Sequence, residues 1–282
     1  MSDRLRVAKT TKLYLGGAFV RSESGHSLDV IDHHGAHIAL VPRGSRKDAR
    51  DAVKAARAAV AGWSGRTAYN RGQILYRLAE ALESRADEVV QRTMAIRGVE
   101  RRAARTDIET AVDLAVHYAG WTDKLHAVMG AVNPVAAPYF GFSLPEPTGV
   151  VVVLTPDEPD VLGLVREVLP PLAAGNTVVA LVSERWPLVP LDLGEVFAVS
   201  DVPGGVVNLL SGLRSELIPH LCGHRDVNAI VDATGDDAWR EQIGALAAET
   251  VKRVSRPAPD ADPLSRLEAL TELKTAWHPV GV

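Results

Sequence analysis

Two places in the sequence combine residue types and spacings that could do chemistry. The first is Cys222, the single cysteine, with His220 two residues before it and His224 two residues after it. A thiol between imidazoles could act as a nucleophile whose proton a histidine removes, or join a metal site. The second is the trio His33, His34 and His37, which could ligate a transition metal. Each has a plainer reading. Ser215 to Cys222 reads as a short helix stopped by Gly223, so Cys222 falls at the negative end of a helix dipole, where a thiolate is disfavoured. Packing at a helix end is the role expected of it. No other ligand type stands at a fixed spacing from the three histidines, so a polar turn between strands is expected there.

A third feature is the acidic turn Thr155 to Asp160, T-P-D-E-P-D, and its meaning depends on the elements around it. Before it lies the β-branched run Val150 to Leu154. After it come Val161, Leu162, Val165, Val168 and Leu169 at helical spacing, then a second apolar run, Thr177 to Leu181. Strand, crossover helix and parallel strand is the natural reading. Two fully apolar strands need cover on both faces, which places them in the middle of a parallel sheet of the nucleotide-binding type.

Bulk properties narrow the class. The chain has 282 residues, 46% apolar and 23% charged, enough for one large or two modest domains with a substantial core. A net charge of −4 suggests neither a nucleic-acid surface nor an anionic membrane as partner. The basic residues from Arg92 to Arg105 read as a solvated helix face. No apolar run approaches membrane-spanning length and the first residues lack the core of a signal peptide, so a cytoplasmic location is expected. One cysteine excludes an internal disulfide.

Along the chain, residues 1–11 are polar and expected to be loose, and Lys12 onward alternates short apolar runs with turn formers, as antiparallel strands do. Ser45 to Asp48 has the pattern of a capping box before an alanine-rich helix. Helices are expected from Asn70 to Gln91 and from about Asp107 to Lys124, with Trp63 and Trp121 as core anchors. Later come a helix at Leu191 to Val199, strands near Pro203 to Gly212 and Val227 to Val231, and a helix from Asp237 to Arg253 opened by Ala233, Thr234, Gly235 and Asp236.

In order, these residues resemble the aldehyde dehydrogenases. That family runs from a strand into T-P-W-N-F-P, through a helix, to L-A-A-G-N-T-V-V-L-K-P-S-E. Thr155, Pro156, Leu172, Ala173, Ala174, Gly175, Asn176, Thr177, Val178, Val179, Ser183 and Glu184 match here, with unbroken spacing from threonine to asparagine. Earlier matches are the strand pair around Leu15, Gly16, Gly17, Phe19 and Val20, A-V-x-A-A-R-A-A at Ala52 to Ala59, Trp63, and R-x-x-I-L-Y-R-L-A at Arg71 to Ala79. Y-A-G-W at Tyr118 to Trp121, P-x-G-V at Pro147 to Val150 and the segment Pro203 to Gly212 continue it, so the resemblance covers roughly residues 12–257. It implies an α/β fold with a Rossmann-like, mostly parallel sheet, helices on both faces and projecting β oligomerisation arms. On that basis residues 1–138 and 149–257 form the nucleotide-binding-type domain, 139–148 one arm, and 258–282 a linker and a carboxy-terminal oligomerisation strand.

The family pattern then stops. Where a relative continues into E-L-G-G-K and a catalytic domain, Glu249 to Ser255 runs directly into a proline-bearing stretch ending at Pro263. Leu267 to Thr275 already resembles the family's carboxy-terminal L-E-x-Y-T-E-V-K-T, and Tyr139 to Leu144 its other arm. The chain therefore resembles a family member with its middle removed, like the inactive second module of two-module relatives. No residue carries over as nucleophile or base, and Glu158 stands where the family has its oxyanion-donating asparagine. Catalytic residues are therefore expected to be absent, and no metal site is expected.

By the same resemblance Thr155, Pro156, Ser183, Glu184, Gly212 and Gly235 are the vestigial cofactor-binding positions. Leu181 replaces the lysine of K-P-S-E and Asp236 the serine of F-T-G-S, where the family's helix start approaches the dinucleotide pyrophosphate. A carboxylate there caps the helix amides itself and repels a phosphate. The cofactor expectation is none, or weak NAD(P). Three functions follow: a structural or regulatory pseudoenzyme partner of a full-length aldehyde dehydrogenase or a homo-oligomer, an NAD(P)-dependent oxidoreductase acting on an aldehyde, or a dinucleotide sensor. In the sensor reading, replacing Asp236 by serine and Leu181 by lysine would strengthen an existing affinity.

Overall fold

The computed structural model describes residues 10–281, so the amino-terminal stretch expected to be loose lies outside them as far as residue 9. Two hairpins come first, β1 (Leu13–Leu15) with β2 (Ala18–Val20) and β3 (Ser27–Ile31) with β4 (His37–Pro42). Five helices follow: α1 (Arg46–Ser64), α2 (Ala68–Ser84), α3 (Ala86–Arg97), α4 (Arg101–Trp121) and α5 (Leu125–Met129). Strands β5 (Ala131–Asn133) and β6 (Tyr139–Pro147) lead to the alternating part: β7 (Val150–Leu154), α6 (Asp160–Ala173), β8 (Thr177–Leu181), α7 (Leu188–Asp192), α8 (Gly194–Val199), β9 (Val207–Leu210), α9 (Arg214–Cys222), β10 (Ala229–Asp232), α10 (Ala238–Ala248) and β11 (Arg253–Ser255). Helix α11 (Pro263–Glu268) and β12 (Thr271–Pro279) complete it.

The central sheet has seven strands in the order β11-β10-β7-β8-β9-β1-β2. Five run parallel, and the β1–β2 hairpin adds antiparallel at the β9 edge through Tyr14 opposite Leu209. Alternation along each strand divides the interior into two layers. Val150, Val152, Leu154, Val179, Leu181 and Ile230 pack under α1, α9 and α10. Val151, Val153, Val178, Ala180, Leu209 and Val231 pack under α2, α4 and α6. Strands covered on both faces have no polar side to spare, which is why these runs are apolar throughout.

The capping box forms as expected: the Ser45 hydroxyl accepts the Asp48 amide at 3.2 Å, and the Asp48 carboxylate accepts the Ser45 amide at 2.8 Å. Trp63 is fully buried and Trp121 packs partly buried against the same core. Several boundaries differ from expectation. The helix expected over Asn70 to Gln91 is two, α2 and α3, because Arg85 (φ −107, ψ 4) leaves helical geometry between them. Val89 and Val90 continue the apolar stripe only on the new axis. The acidic pair Asp87 and Glu88 in the first turn of α3 was the available sign of a helix start. Helix α4 begins at Arg101 and ends at Trp121, not Asp107 to Lys124. Leu191 to Val199 holds parts of two short helices, α7 and α8. Helix α10 stops at Ala248, and Arg253 lies in the extra edge strand β11.

A second sheet of three strands, β12-β6-β5, stands apart from the first. β12 pairs with β6 at nine successive positions, Thr271 opposite Pro147 through Pro279 opposite Tyr139. The match at Leu267 to Thr275 therefore straddles two elements, since Leu267 lies in α11 and the strand begins at Thr271.

Candidate functional site at the carboxyl edge of the parallel sheet

The chain moves from β7 to β8 and β9 on one side, then returns to place β10 and β11 on the other side of β7. In open parallel sheets such a reversal opens a crevice at the carboxyl ends of the two strands that flank it. Here that crevice is a cleft of about 360 Å³ between the turn after β7 and the turn after β10, lined by Pro156, Glu158, Thr234, Gly235, Asp236 and Arg256 among others. Gly235 has φ +70, a left-handed conformation that glycine adopts without strain.

The acidic turn after β7 does not present free charge to this cleft. Asp157 forms two hydrogen bonds with the Arg214 guanidinium, both at 2.9 Å, and accepts the Ser183 hydroxyl at 2.9 Å and the Glu184 amide at 3.0 Å. Arg214 also donates to the Thr155 carbonyl at 2.8 Å. Glu158 accepts from Arg185 at 3.2 Å and from the Trp186 indole at 3.1 Å. Asp160 is buried against Arg97, whose Nη1 lies 2.5 Å from Oδ1. Burial pushes the Asp160 carboxyl above its ordinary pKa, and the Arg97 charge opposes that shift. Each of these carboxylates has an arginine partner. Arg97 also corrects the solvated-face reading of the Arg92 to Arg105 cluster, since its side chain is only 8% exposed.

The six vestigial positions divide. Thr155, Ser183 and Glu184 join one network through Asp157 and Arg214, and the Glu184 carboxylate accepts the Arg214 backbone N–H at 2.5 Å. Thr155 and Ser183 are buried. Pro156 and Gly235 line the cleft. Gly212 stands apart, where a Cβ would come within 2.7 Å of Leu217 and 3.1 Å of the Gly44 amide. Asp236 behaves as expected of a carboxylate at a helix start: its Oδ1 accepts the Ala238 amide at 2.9 Å. Leu181 is not at an open mouth but in the core beside Leu154 and Leu210, so a lysine there would bury a charge and is no test of ligand affinity.

A dinucleotide fits these residues poorly. The carboxylate expected on a ribose already holds the start of α9, Asp236 occupies the first amide of α10, and Arg214 pairs with Asp157 between the turns. Arg214 is the residue that motif comparison missed. Its only sequence signal was a basic residue just after the turn that ends β9.

The other candidates lie outside this network. Cys222 is buried at the carboxyl end of α9, and burial, with the Asp232 charge adding to it, pushes its thiol up to about 12. His224 accepts the Asp226 amide at Nδ1, 3.1 Å away. His33 and His34 occupy the β3–β4 turn, where Asp32 accepts the amides of His34 and Ala36, both at 2.8 Å. His37 faces Asp29 at 3.2 Å. Among the described residues, no helix is long and apolar enough to cross a membrane.

A doubly wound sheet with its crevice at the reversal of strand order defines an α/β protein of the dinucleotide-binding class. The profile of the aldehyde dehydrogenase family matches residues 19–257. The mitochondrial aldehyde dehydrogenase family 2 member B4 of Arabidopsis thaliana is 32% identical over 249 residues, 87% of this chain and 46% of the relative. The 2-hydroxymuconic semialdehyde dehydrogenase of Pseudomonas sp. (strain CF600) is 34% identical over 88% of this chain and 52% of its own. Among solved structures, PnpE from Pseudomonas sp. WBC-3 superposes with a TM-score of 0.83 at 30% identity, covering 87% of this chain and 50% of PnpE. The NAD+ complex of the Bacillus cereus aldehyde dehydrogenase gives 0.81 at 27% identity, covering 87% of this chain and 50% of that one. This chain belongs to the aldehyde dehydrogenase family, and it spans about half the length of the curated relatives it matches.

Proposed function

We propose that this chain is a non-catalytic aldehyde dehydrogenase relative that serves as a structural or regulatory subunit beside a full-length member of the family. The observation that carries this reading is the β5–β6–β12 sheet. β12 pairs with β6 along its whole length and, among the described residues, has no partner on its other edge. Leu273 and Trp277 are 64% and 62% exposed on that strand, and Tyr139 and Phe140 are exposed on β6. An unpaired edge with exposed apolar side chains invites strand addition by a partner. The cytoplasm is the compartment in which we place this assembly.

Two further observations support the absence of chemistry. The single thiol is buried and protonated at neutral pH, and Glu158 stands where an oxyanion donor would be needed. Between Ser255 at the end of β11 and Pro263 at the start of α11 the chain crosses directly, where the family pattern would continue into its catalytic part.

The test is native mass spectrometry of the protein purified gently from its source, beside a Leu273→Lys, Trp277→Lys variant. Recovery with a full-length aldehyde dehydrogenase in fixed ratio, lost in the variant, is the expected result. A homomer indifferent to both changes would overturn it.

A second reading, weak NAD(P) binding by a sensor or an oxidoreductase, is favoured by the position of the cleft between β7 and β10.

A further inference from the structure

At the opposite end of the sheet, a cavity of about 740 Å³ lies between the α1–α2 turn, the root of the β6–β12 sheet and the loop that enters β7. Arg57, Arg66 and Arg71 line it, with Thr148, Asp123 and Glu146. The two carboxylates are already matched: Asp123 with Lys124 at 3.1 Å and Glu146 with Lys274 at 3.2 Å. The three guanidiniums are not. Among the described residues, no carboxylate lies within 4.0 Å of any of them, and every hydrogen-bond acceptor they have is neutral. Arg57 donates to the Asn228 side chain at 2.5 Å and to the Asp226 carbonyl. Arg66 donates to the Asn70 side chain at 2.7 Å, and Arg71 to the Arg66 carbonyl at 2.7 Å.

Arg66 is exposed and Arg57 and Arg71 are half-buried, whereas the more deeply buried guanidiniums of Arg97, Arg214 and Arg266 carry counterions. Arg71 differs. It has no counterion; its Nε is buried without an acceptor, as are the Arg97 Nε and the Thr148 hydroxyl, and burial lowers the pKa of its guanidinium. Desolvated positive charge without a counterion is costly, and an anion entering the cavity would relieve it. Arg57 and Arg71 are also held against neighbouring loops. Cβ atoms added at Gly149 and Gly175 would lie 3.6 Å and 3.7 Å from them, and Gly149 is bonded to Asn176 at 2.7 Å.

We propose that this cavity binds a phosphate group, carried by inorganic phosphate or a small phosphomonoester, with the Arg57, Arg66 and Arg71 guanidiniums as its contacts. Three cations exceed what one carboxylate can balance, while a phosphate brings a charge near −2 and three acceptor oxygens that guanidinium forks match. The site is separate from the cleft at the carboxyl edge and does not depend on the subunit role proposed above.

The test is isothermal titration calorimetry of the full chain with sodium phosphate and with glycerol 3-phosphate, at ionic strength held constant with sodium chloride, and with sodium acetate as the carboxylate probe. One saturable site is expected, weakened about tenfold by Arg66→Gln or Arg57→Gln and unchanged by Arg102→Gln on the exposed face of α4. Circular dichroism melting checks that each variant is folded. Tighter binding of the ester would identify a phosphomonoester as the ligand, and equal binding free phosphate. Absence of saturable binding, equal binding of acetate, or affinity indifferent to Arg57 and Arg66 in folded variants would overturn the proposal.

Discussion

Arg266 Nη1 lies 2.6 Å and 2.5 Å from the two carboxylate oxygens of Glu167, with both side chains almost fully buried. The same guanidinium donates to the carbonyls of Ala258 at 2.6 Å and Pro259 at 3.3 Å. One side chain therefore gathers the crossing between β11 and α11 and fixes it to α6. Beside it, the Tyr118 hydroxyl donates to the Pro263 carbonyl at 3.3 Å, and burial raises that phenol's pKa. Here the chain passes from β11 of the central sheet to β12 of the three-stranded sheet, so the ion pair anchors the connection between the two sheets.

Removing Arg266 should leave the buried Glu167 carboxylate with Arg166, 3.0 Å away, as its one remaining cation among the described residues. Arg266→Met is expected to lower unfolding stability by roughly 3–5 kcal/mol in urea denaturation. Replacing both residues by methionine should recover much of that loss, since two apolar chains need no counterion. A double variant no better than the single one would mean that the carbonyl contacts, and not the ion pair, hold the crossing.

Asp160 gives a pH dependence of known sign. Its pKa is raised in the folded protein by burial, so the fold retains a proton that the unfolded chain releases. Stability from this group is present at low pH and is lost as pH rises through the raised pKa. Compared with an Asp160→Asn variant by urea denaturation between about pH 4 and about pH 7, the unchanged protein should lose stability relative to the variant as pH rises. A relative gain over the same interval would show that the Arg97 charge outweighs burial.

Asp236 isolates the question of the dinucleotide. It is exposed and its side chain holds only the Ala238 amide, so Asp236→Ser should fold normally while removing one negative charge from the cleft. NAD affinity by calorimetry is expected to rise about fivefold, the effect of roughly 1 kcal/mol at a helix start. No change would mean that phosphate does not approach this helix in this chain.

Cys222 should not react with iodoacetamide in the native state. Burial keeps its thiol protonated, with a pKa of about 12, and closes access to the sulfur. Mass spectrometry should find alkylation only after urea unfolding, and native labelling at neutral pH would reopen a chemical role for this residue.

Much of the fold was legible in the sequence because its signals are local. Val150 to Leu154 and Thr177 to Leu181 are apolar at every position because each face of the strand is covered, and the helix spacing between them needs no distant partner. Ser45 and Asp48 announce a helix start within one turn. The break at Arg85 was marked in the sequence only by the acidic pair Asp87 and Glu88, because no glycine or proline stands there.

The site was legible only by position. The sequence by itself determined that the turns after Leu154 and Asp232 are acidic, that a lysine and a serine of the family pattern are replaced by Leu181 and Asp236, and that the single thiol ends a helix. Tertiary structure alone decided what those charges do. Asp157 finds Arg214 across 57 residues of chain, and Asp160 finds Arg97 across 63. A carboxylate's effect on its surroundings depends on which cation lies within a few ångströms. That distance is set by the packing of helices onto the sheet and has no counterpart in residue spacing.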